Sequence, residues 1–197
     1  MMKIYEAILD ILVKMGTATI PVIYKEMSEQ QSSYLRTEEQ IVEQAYIRSL
    51  ISRNKEIFSL KDGIVSIRPE REPIMLTVVM YGYPGPERRI KVDFKTNSFT
   101  YFEWHLDSLC QGSLIAPQPG SVEHFKKQLY SFNCWEWQGD YQAEGIIVDG
   151  TTWSVKLETK GNKFESGGID SFPKEWKDFC RAITTLIGKE FPCGPHA

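Results

Sequence analysis

Residues 68–73 read Arg68-Pro69-Glu70-Arg71-Glu72-Pro73, two prolines among four charged side chains with nothing aliphatic between them. Proline fixes its own φ and holds the residue before it extended, so this segment is stiff and has nothing to bury. It reads as a connector, and the sequence on each side must find a core of its own. The chain has the means, because 42% of its 197 residues are hydrophobic and 12% aromatic, which excludes wholesale disorder. The expected layout is a first domain over 1–69, a linker over 70–73, a second domain over 74–190 and a tail over 191–197.

In the first part Ile4, Ile8, Ile11, Leu12 and Met15 recur at helical spacing, and Gly16 stops the run. Thr17 to Ile20 suits a short strand. Pro21 opens a second helix through Met27 and Glu29, since a proline in the first turn forfeits no hydrogen bond; the polar stretch 28–33 reads as a loop. Thr37 followed three residues later by Gln40 is a reciprocal cap and predicts a long third helix from Glu38 to about Arg53. On a wheel of about 100° per residue its inward stripe is Ile41, Val42, Ala45, Tyr46 and Leu50, with Gln40, Gln44, Ile47, Arg48 and Ile51 on the opposite side. Ile57 to Leu60 and Ile64 to Ile67 are strands joined by Lys61-Asp62-Gly63, whose Asp-Gly pair favours a tight hairpin.

Helix, short strand, two helices and a hairpin is the order of a winged helix. The run Ala7-Ile8-Leu9-Asp10-Ile11-Leu12, the segment Ala45-Tyr46-Ile47-Arg48-Ser49-Leu50-Ile51, and Phe58 through Asp62-Gly63 to Ile67 resemble the bacterial HARE-HTH family, winged helices found in the delta subunit of RNA polymerase and on some restriction enzymes. The resemblance implies a fold and a role near DNA or the transcription machinery. In a DNA-reading winged helix the third helix enters the major groove, which here would bring Gln40, Gln44 and Arg48 to the bases and Lys55 and the wing residue Lys61 to phosphates. Glu38, Glu39 and Glu43 would meet phosphates with the wrong sign, and Ile47 and Ile51 on the same face suit a protein contact or packing on the second domain. A solvated face, a protein-contact face and a DNA-reading face all fit the residues.

In the second part Ile74 to Tyr81, Arg89 to Phe94 and Ser98 to Trp104 read as a three-stranded antiparallel meander. Residues 112–120 form a loop, Ser121 caps a helix bearing Val122, Phe125, Leu129 and Phe132, and strands follow from Ile146, over Thr152 to Glu158, and over Lys163 to Glu165. A last helix starting around Pro173 carries Trp176, Phe179, Cys180, Ile183, Leu186 and Ile187 on one stripe and ends at Gly188. The fold class is therefore α+β, a winged-helix domain followed by a mainly antiparallel sheet with two covering helices. Trp137, Tyr141, Asp149-Gly150, Trp153, Ser166-Gly167, Phe172-Pro173 and Trp176 resemble the series of an uncharacterised α+β domain of bacterial and mobile-element proteins, except that Asp170-Ser171-Phe172-Pro173 stands where Asn-Ala-Tyr-Pro is expected. That resemblance implies a fold unit and no activity.

Chemistry is sparsely signalled. Trp135 and Trp137, two apart, would share a strand face and could stack a base or sugar if exposed, although aromatics of this size usually fill cores. Asp149, with Asp140 or Glu144, could pair carboxylates, but Asp-Gly before a strand serves a turn. His105, Asp107 and Cys134 have the residue types of a nucleophilic site without a signature joining them. Cys193-Gly194-Pro195-His196 has the spacing of half a zinc site, which Cys110, Cys134, Cys180 or His124 would have to complete; a tail is the plainer reading. No glycine-rich phosphate loop is present. Neither a metal nor a small-molecule cofactor is expected.

The four scattered cysteines and the lack of a long apolar run or leader fit a cytoplasmic protein with reduced thiols and no membrane contact. The net charge is −3, with ten basic and ten acidic residues up to Arg71, which does not support strong non-specific nucleic-acid binding. The expectation is a non-enzymatic bacterial or phage regulatory or accessory protein that binds a protein partner. A role in defence, counter-defence or toxin immunity is suggested by the second resemblance alone. The alternative is a sequence-specific DNA-binding regulator, and an enzyme is the third.

Overall fold

The computed structural model describes residues 4–31, 43–82, 85–104, 119–143, 145 and 150–194. The chain is α+β and divides into two compact units, Met1–Glu72 and Pro73–Ala197.

In the first unit α1 (Ile4–Met15) buries Ala7, Ile8, Leu9, Ile11 and Leu12 on its apolar face. Gly16 ends it at φ 78°, its N–H donating to the Leu12 carbonyl at 2.8 Å. Strand β1 (Thr17–Thr19) leads into α2 (Ile20–Gln31), which runs past the expected stop at residue 28. Within it the Ser28 hydroxyl donates back to the Tyr24 carbonyl at 2.8 Å, and the helix continues with Lys25 and Glu29 paired four apart on its exposed side. After α3 (Gln44–Arg53) come β2 (Phe58–Lys61) and β3 (Ile64–Ile67). Asp62 and Gly63 between them both have positive φ, 50° and 78°, the requirement of the two-residue turn whose twist matches a hairpin. Strand β1 pairs with the far edge of β3, giving an antiparallel sheet in the order β1-β3-β2. Ile8, Leu12, Ile23, Ile47 and Val65 lie at its centre, each at most 1% exposed.

The connector is a 3-10 turn over Pro69–Arg71. Its arginines reach back, Arg68 donating to the Lys55 carbonyl at 3.0 Å and Arg71 to the Glu56 carbonyl at 3.3 Å.

In the second unit β4 (Pro73–Gly82), β5 (Glu87–Asp93) and β6 (Ser98–Trp104) form the expected meander. Helix α4 (Val122–Phe132) is capped by the Ser121 hydroxyl, which accepts the His124 N–H at 3.2 Å. Strands β7 (Asp140–Gln142), β8 (Thr151–Thr159) and β9 (Lys163–Ile169) then precede α5 (Trp176–Ile187). The sheet order is β6-β5-β4-β8-β9-β7, antiparallel except that β7 runs parallel to β9. Strand β7 was not foreseen, β9 runs past Glu165 to Ile169, and the helix begins at Trp176 rather than Pro173; residues 146–149, where another strand was expected, lie outside the described residues.

Alternation assigns the faces of this sheet. Leu76, Val78, Met80, Ile90, Val92, Trp153, Val155 and Leu157 are buried on the side of α4 and α5, while the other side carries ion pairs such as Lys156–Glu165 and Arg89–Glu87 at 2.7 and 2.9 Å. Among the described residues no helix is long and apolar enough to cross a membrane.

Candidate functional site

The face of α3 differs from the sequence expectation. Glu43 is extended (φ −75°, ψ 150°) and holds the N-cap position through its carbonyl, with no hydrogen bond from its side chain, so the first described turn begins at Gln44; Gln40 and the rest of 32–42 lie outside the described residues. Ile47 and Ile51, expected on the polar side, are the buried pair at 0% and 2% exposure, and the helix packs on α2 and β2. Ala45 and Tyr46, expected inward, are exposed, and Leu50 is half-buried. Ile47 and Ile51 stand four apart, one directly above the other, and it is the side they share that meets α2 and β2. Tyr46 tolerates exposure because its hydroxyl is polar.

This phase turns Gln44, Arg48, Ser52 and Arg53 outward along one broad arc. The helix ends at Asn54, whose side-chain amide donates to the Leu50 carbonyl at 2.8 Å. The following turn, whose carbonyls Arg68 and Arg71 hold, presents Lys55 to solvent; Lys61 is exposed at the hairpin tip. Among the described residues none of Arg48, Arg53, Lys55 and Lys61 enters an ion pair. Among the described residues Glu43, Glu56 and Asp62 are the acidic groups on the neighbouring stretch. Tyr46 and Ile64 add large apolar surface to this unit, each 47% exposed.

Trp135 and Trp137 do not form a surface. Asn133 ends α4 in the left-handed region, φ 48°, and the chain enters a 3-10 turn over Cys134–Glu136 instead of a strand, so the two rings do not share a strand face. Trp135 is 7% exposed and packs on Tyr130. Trp137 donates its indole N–H to the Phe132 carbonyl at 3.0 Å and sets its ring edge-on to Trp153 and Phe179.

The spaced series of the second unit instead closes on Trp153. Its ring centroid lies 4.5 Å from Trp176, 5.6 Å from Tyr141, 6.1 Å from Phe172 and 6.2 Å from Trp137. The Trp153 N–H donates to the Ser171 carbonyl at 2.8 Å, and Ser166 donates to the Gln138 carbonyl. A Cβ on Gly168 would overlap the Tyr141 carbonyl, so a glycine is what lets β7 lie against β9. These residues build a core.

One polar cluster was missed by sequence reasoning. Glu103 on β6 is 8% exposed, and its carboxylate accepts from the Tyr101 hydroxyl at 3.1 Å, pairs with Arg88 of β5 at 3.4 Å and with the ammonium of Lys189 beyond α5. Burial pushes the Glu103 carboxyl up, but Lys189, Arg88 and Tyr101 outweigh it and hold it below its usual range. Burial and the Glu103 charge push the Tyr101 hydroxyl well up. The available signal was phase: Glu103 falls in step with Tyr101, on the buried side of an alternating strand.

Of the nucleophilic candidates, Cys134 is buried and its thiol is pushed well up by that burial, so it stays protonated. His105, Asp107, Cys110, Glu144, Asp149 and His196 lie outside the described residues, and Asp140 is exposed, accepting from Gln142 at 2.7 Å. Among the described residues no three ligand side chains gather as a metal site would require. Neither a family model, nor a curated protein, nor a solved structure matches the chain.

Proposed function

We propose that the protein is a non-enzymatic regulator whose first unit is a winged helix of the HARE-HTH kind and docks on duplex DNA through α3 and the β2–β3 wing. What carries this reading is the burial of Ile47 and Ile51, which takes both isoleucines off the outer face of α3 and leaves Gln44 and Arg48 outward. The sequence argument for a protein partner drew on the acidic start of the third helix, the negative charge balance and those two isoleucines, and burial removes the isoleucines from it. Arg48 and Gln44 are side chains able to make paired hydrogen bonds to guanine and adenine edges, and Arg53, Lys55 and Lys61 supply the positive charge for phosphates. With about three such contacts, log affinity should fall with log salt at a slope of roughly −3.

The test is a selection from randomised duplexes followed by anisotropy titration of the enriched site. Arg48→Ala should weaken that site by roughly tenfold or more while leaving binding to unrelated duplex unchanged. Absence of any enriched sequence, with wild type and Arg48→Ala indistinguishable, would sink the proposal.

A protein partner is the second reading, favoured by the exposed rings and chains of Tyr46 and Ile64. It is distinguished by a purified partner whose binding is lost in Tyr46→Ala and kept in Arg48→Ala.

A further inference from the structure

The segment after α5 folds back along that helix. Gly188 turns the chain at φ 66° and its N–H donates to the Thr184 carbonyl at 2.9 Å. Phe191 is buried, and its N–H donates to the Thr184 hydroxyl oxygen at 3.0 Å, which fixes the register of the returning segment against the helix. Two residues further on, Cys193 should have moved back by one helical turn, since two extended residues cover about 6.6 Å and a turn about 5.4 Å. One turn before Thr184 is Cys180, so the Phe191–Thr184 register sets the Cys193 thiol beside the Cys180 thiol. Both thiols are reduced, Cys180 buried on the core stripe of α5 and Cys193 half-buried, its thiol also directed at the Phe191 carbonyl at 3.8 Å.

We propose that Cys180 and Cys193 form a reversible disulfide that fastens residues 188–194 to α5 as a redox-controlled strap. Two cysteines 13 positions apart in sequence are set side by side by a hydrogen-bonded register, and one of the pair is reachable from solvent while the other is not. That asymmetry assigns the order of events with a low-molecular-weight disulfide such as oxidised glutathione as oxidant. The Cys193 thiolate attacks one sulfur of the oxidant, forming a mixed disulfide and releasing one thiolate, which takes up the Cys193 proton. Cys180, as its thiolate, then attacks the Cys193 sulfur and expels the second small thiolate, which takes up the Cys180 proton. Two protein thiols are oxidised and one small disulfide is reduced to two thiols. Burial and the neighbouring sulfur hold the Cys180 thiol well up, so the second step is the slower. The strap includes Lys189, the cation paired with Glu103, so the bond would also hold that ion pair closed.

The test uses the full chain equilibrated in glutathione buffers from fully reduced to fully oxidised, denatured with an alkylating agent to block remaining thiols, and digested with trypsin. Cleavage after Lys177, Arg181 and Lys189 places the two cysteines on separate peptides, Asp178–Arg181 and one beginning at Glu190. The expected result is a mass for these two peptides joined, with Cys134 and Cys110 alkylated throughout, and a melting temperature about 5–10 °C higher in the oxidised chain. That shift should vanish in Cys193→Ser, a half-buried position whose replacement leaves the core untouched. Accumulation of glutathione on Cys193 with Cys180 still alkylated, a link to Cys110 or Cys134, or a link between two chains would each overturn the proposal.

Discussion

Helix α5 buries seven side chains, Trp176, Phe179, Cys180, Ala182, Ile183, Leu186 and Ile187, whereas α3 buries two, Ile47 and Ile51. Both read as amphipathic in sequence, yet the first could be oriented from its residues and the second came out turned to the wrong side. The difference lies in redundancy. Seven apolar positions within 12 residues define a face that no shift of the helix ends can move. In α3 the apolar residues are spread around the wheel, and the inward stripe was drawn through Ile41 and Val42, which precede the first described turn. A helix with few apolar residues takes its phase from what it packs on, and that information is not local.

The comparison can be broken by deleting side chains on each helix. The largest loss is expected for Trp176→Ala, about 3–5 kcal/mol, because the ring sits 1% exposed between Trp153, Phe172 and Phe179 and the cavity could not close around it. Urea denaturation followed by far-ultraviolet dichroism measures it, and a loss under about 1 kcal/mol would show the aromatic cluster to be loosely packed. Ile47→Ala should cost about 2–5 kcal/mol, seen as faster amide exchange across α1, α2 and α3, while its neighbour Tyr46→Ala should change stability by no more than about 0.5 kcal/mol. Reversal of those two results would restore the face drawn from sequence.

The smallest effect is expected on β6, at Glu103, the partner of Lys189 beyond the end of α5. Its carboxyl is held below the usual value of 4.5, so its contribution is complete above that pH and is lost as pH falls through the lower folded value. Wild-type stability should therefore fall more steeply on acidification below about pH 4.5 than that of Glu103→Gln. Equal slopes would mean that Lys189 and Arg88 do not hold the charged form.

What was legible followed from redundancy or from backbone demand. Asp62-Gly63 announced its turn because few pairs accept two positive φ values. The β4–β5–β6 meander was marked by the glycines and prolines of 82–86 and by Lys95-Thr96-Asn97, and Ser121 announced its helix as an oxygen placed to accept a first-turn N–H. Strand β7 escaped because three residues carry too little alternation, and its parallel partner Gly167-Gly168-Ile169 lies far along the chain. Of the proposed contact face, Arg48, Lys55 and Lys61 were identifiable as charged residues beside a helix and a hairpin. That Ile47 and Ile51 would leave that face could not be seen without α2 and β2. The Glu103 cluster needs Lys189, 86 positions away, and no window of sequence contains both.

The ring cluster around Trp153 also decides what light will report. All five tryptophans, at 104, 135, 137, 153 and 176, fall in the second unit, and the first has tyrosine as its longest-wavelength chromophore. Emission excited near the red edge of the indole band therefore comes from residues 73–197 alone. The first unit is spectrally dark there, so a single tryptophan placed at Tyr46 would provide an optical probe of α3, with the second unit's own emission as its fixed background.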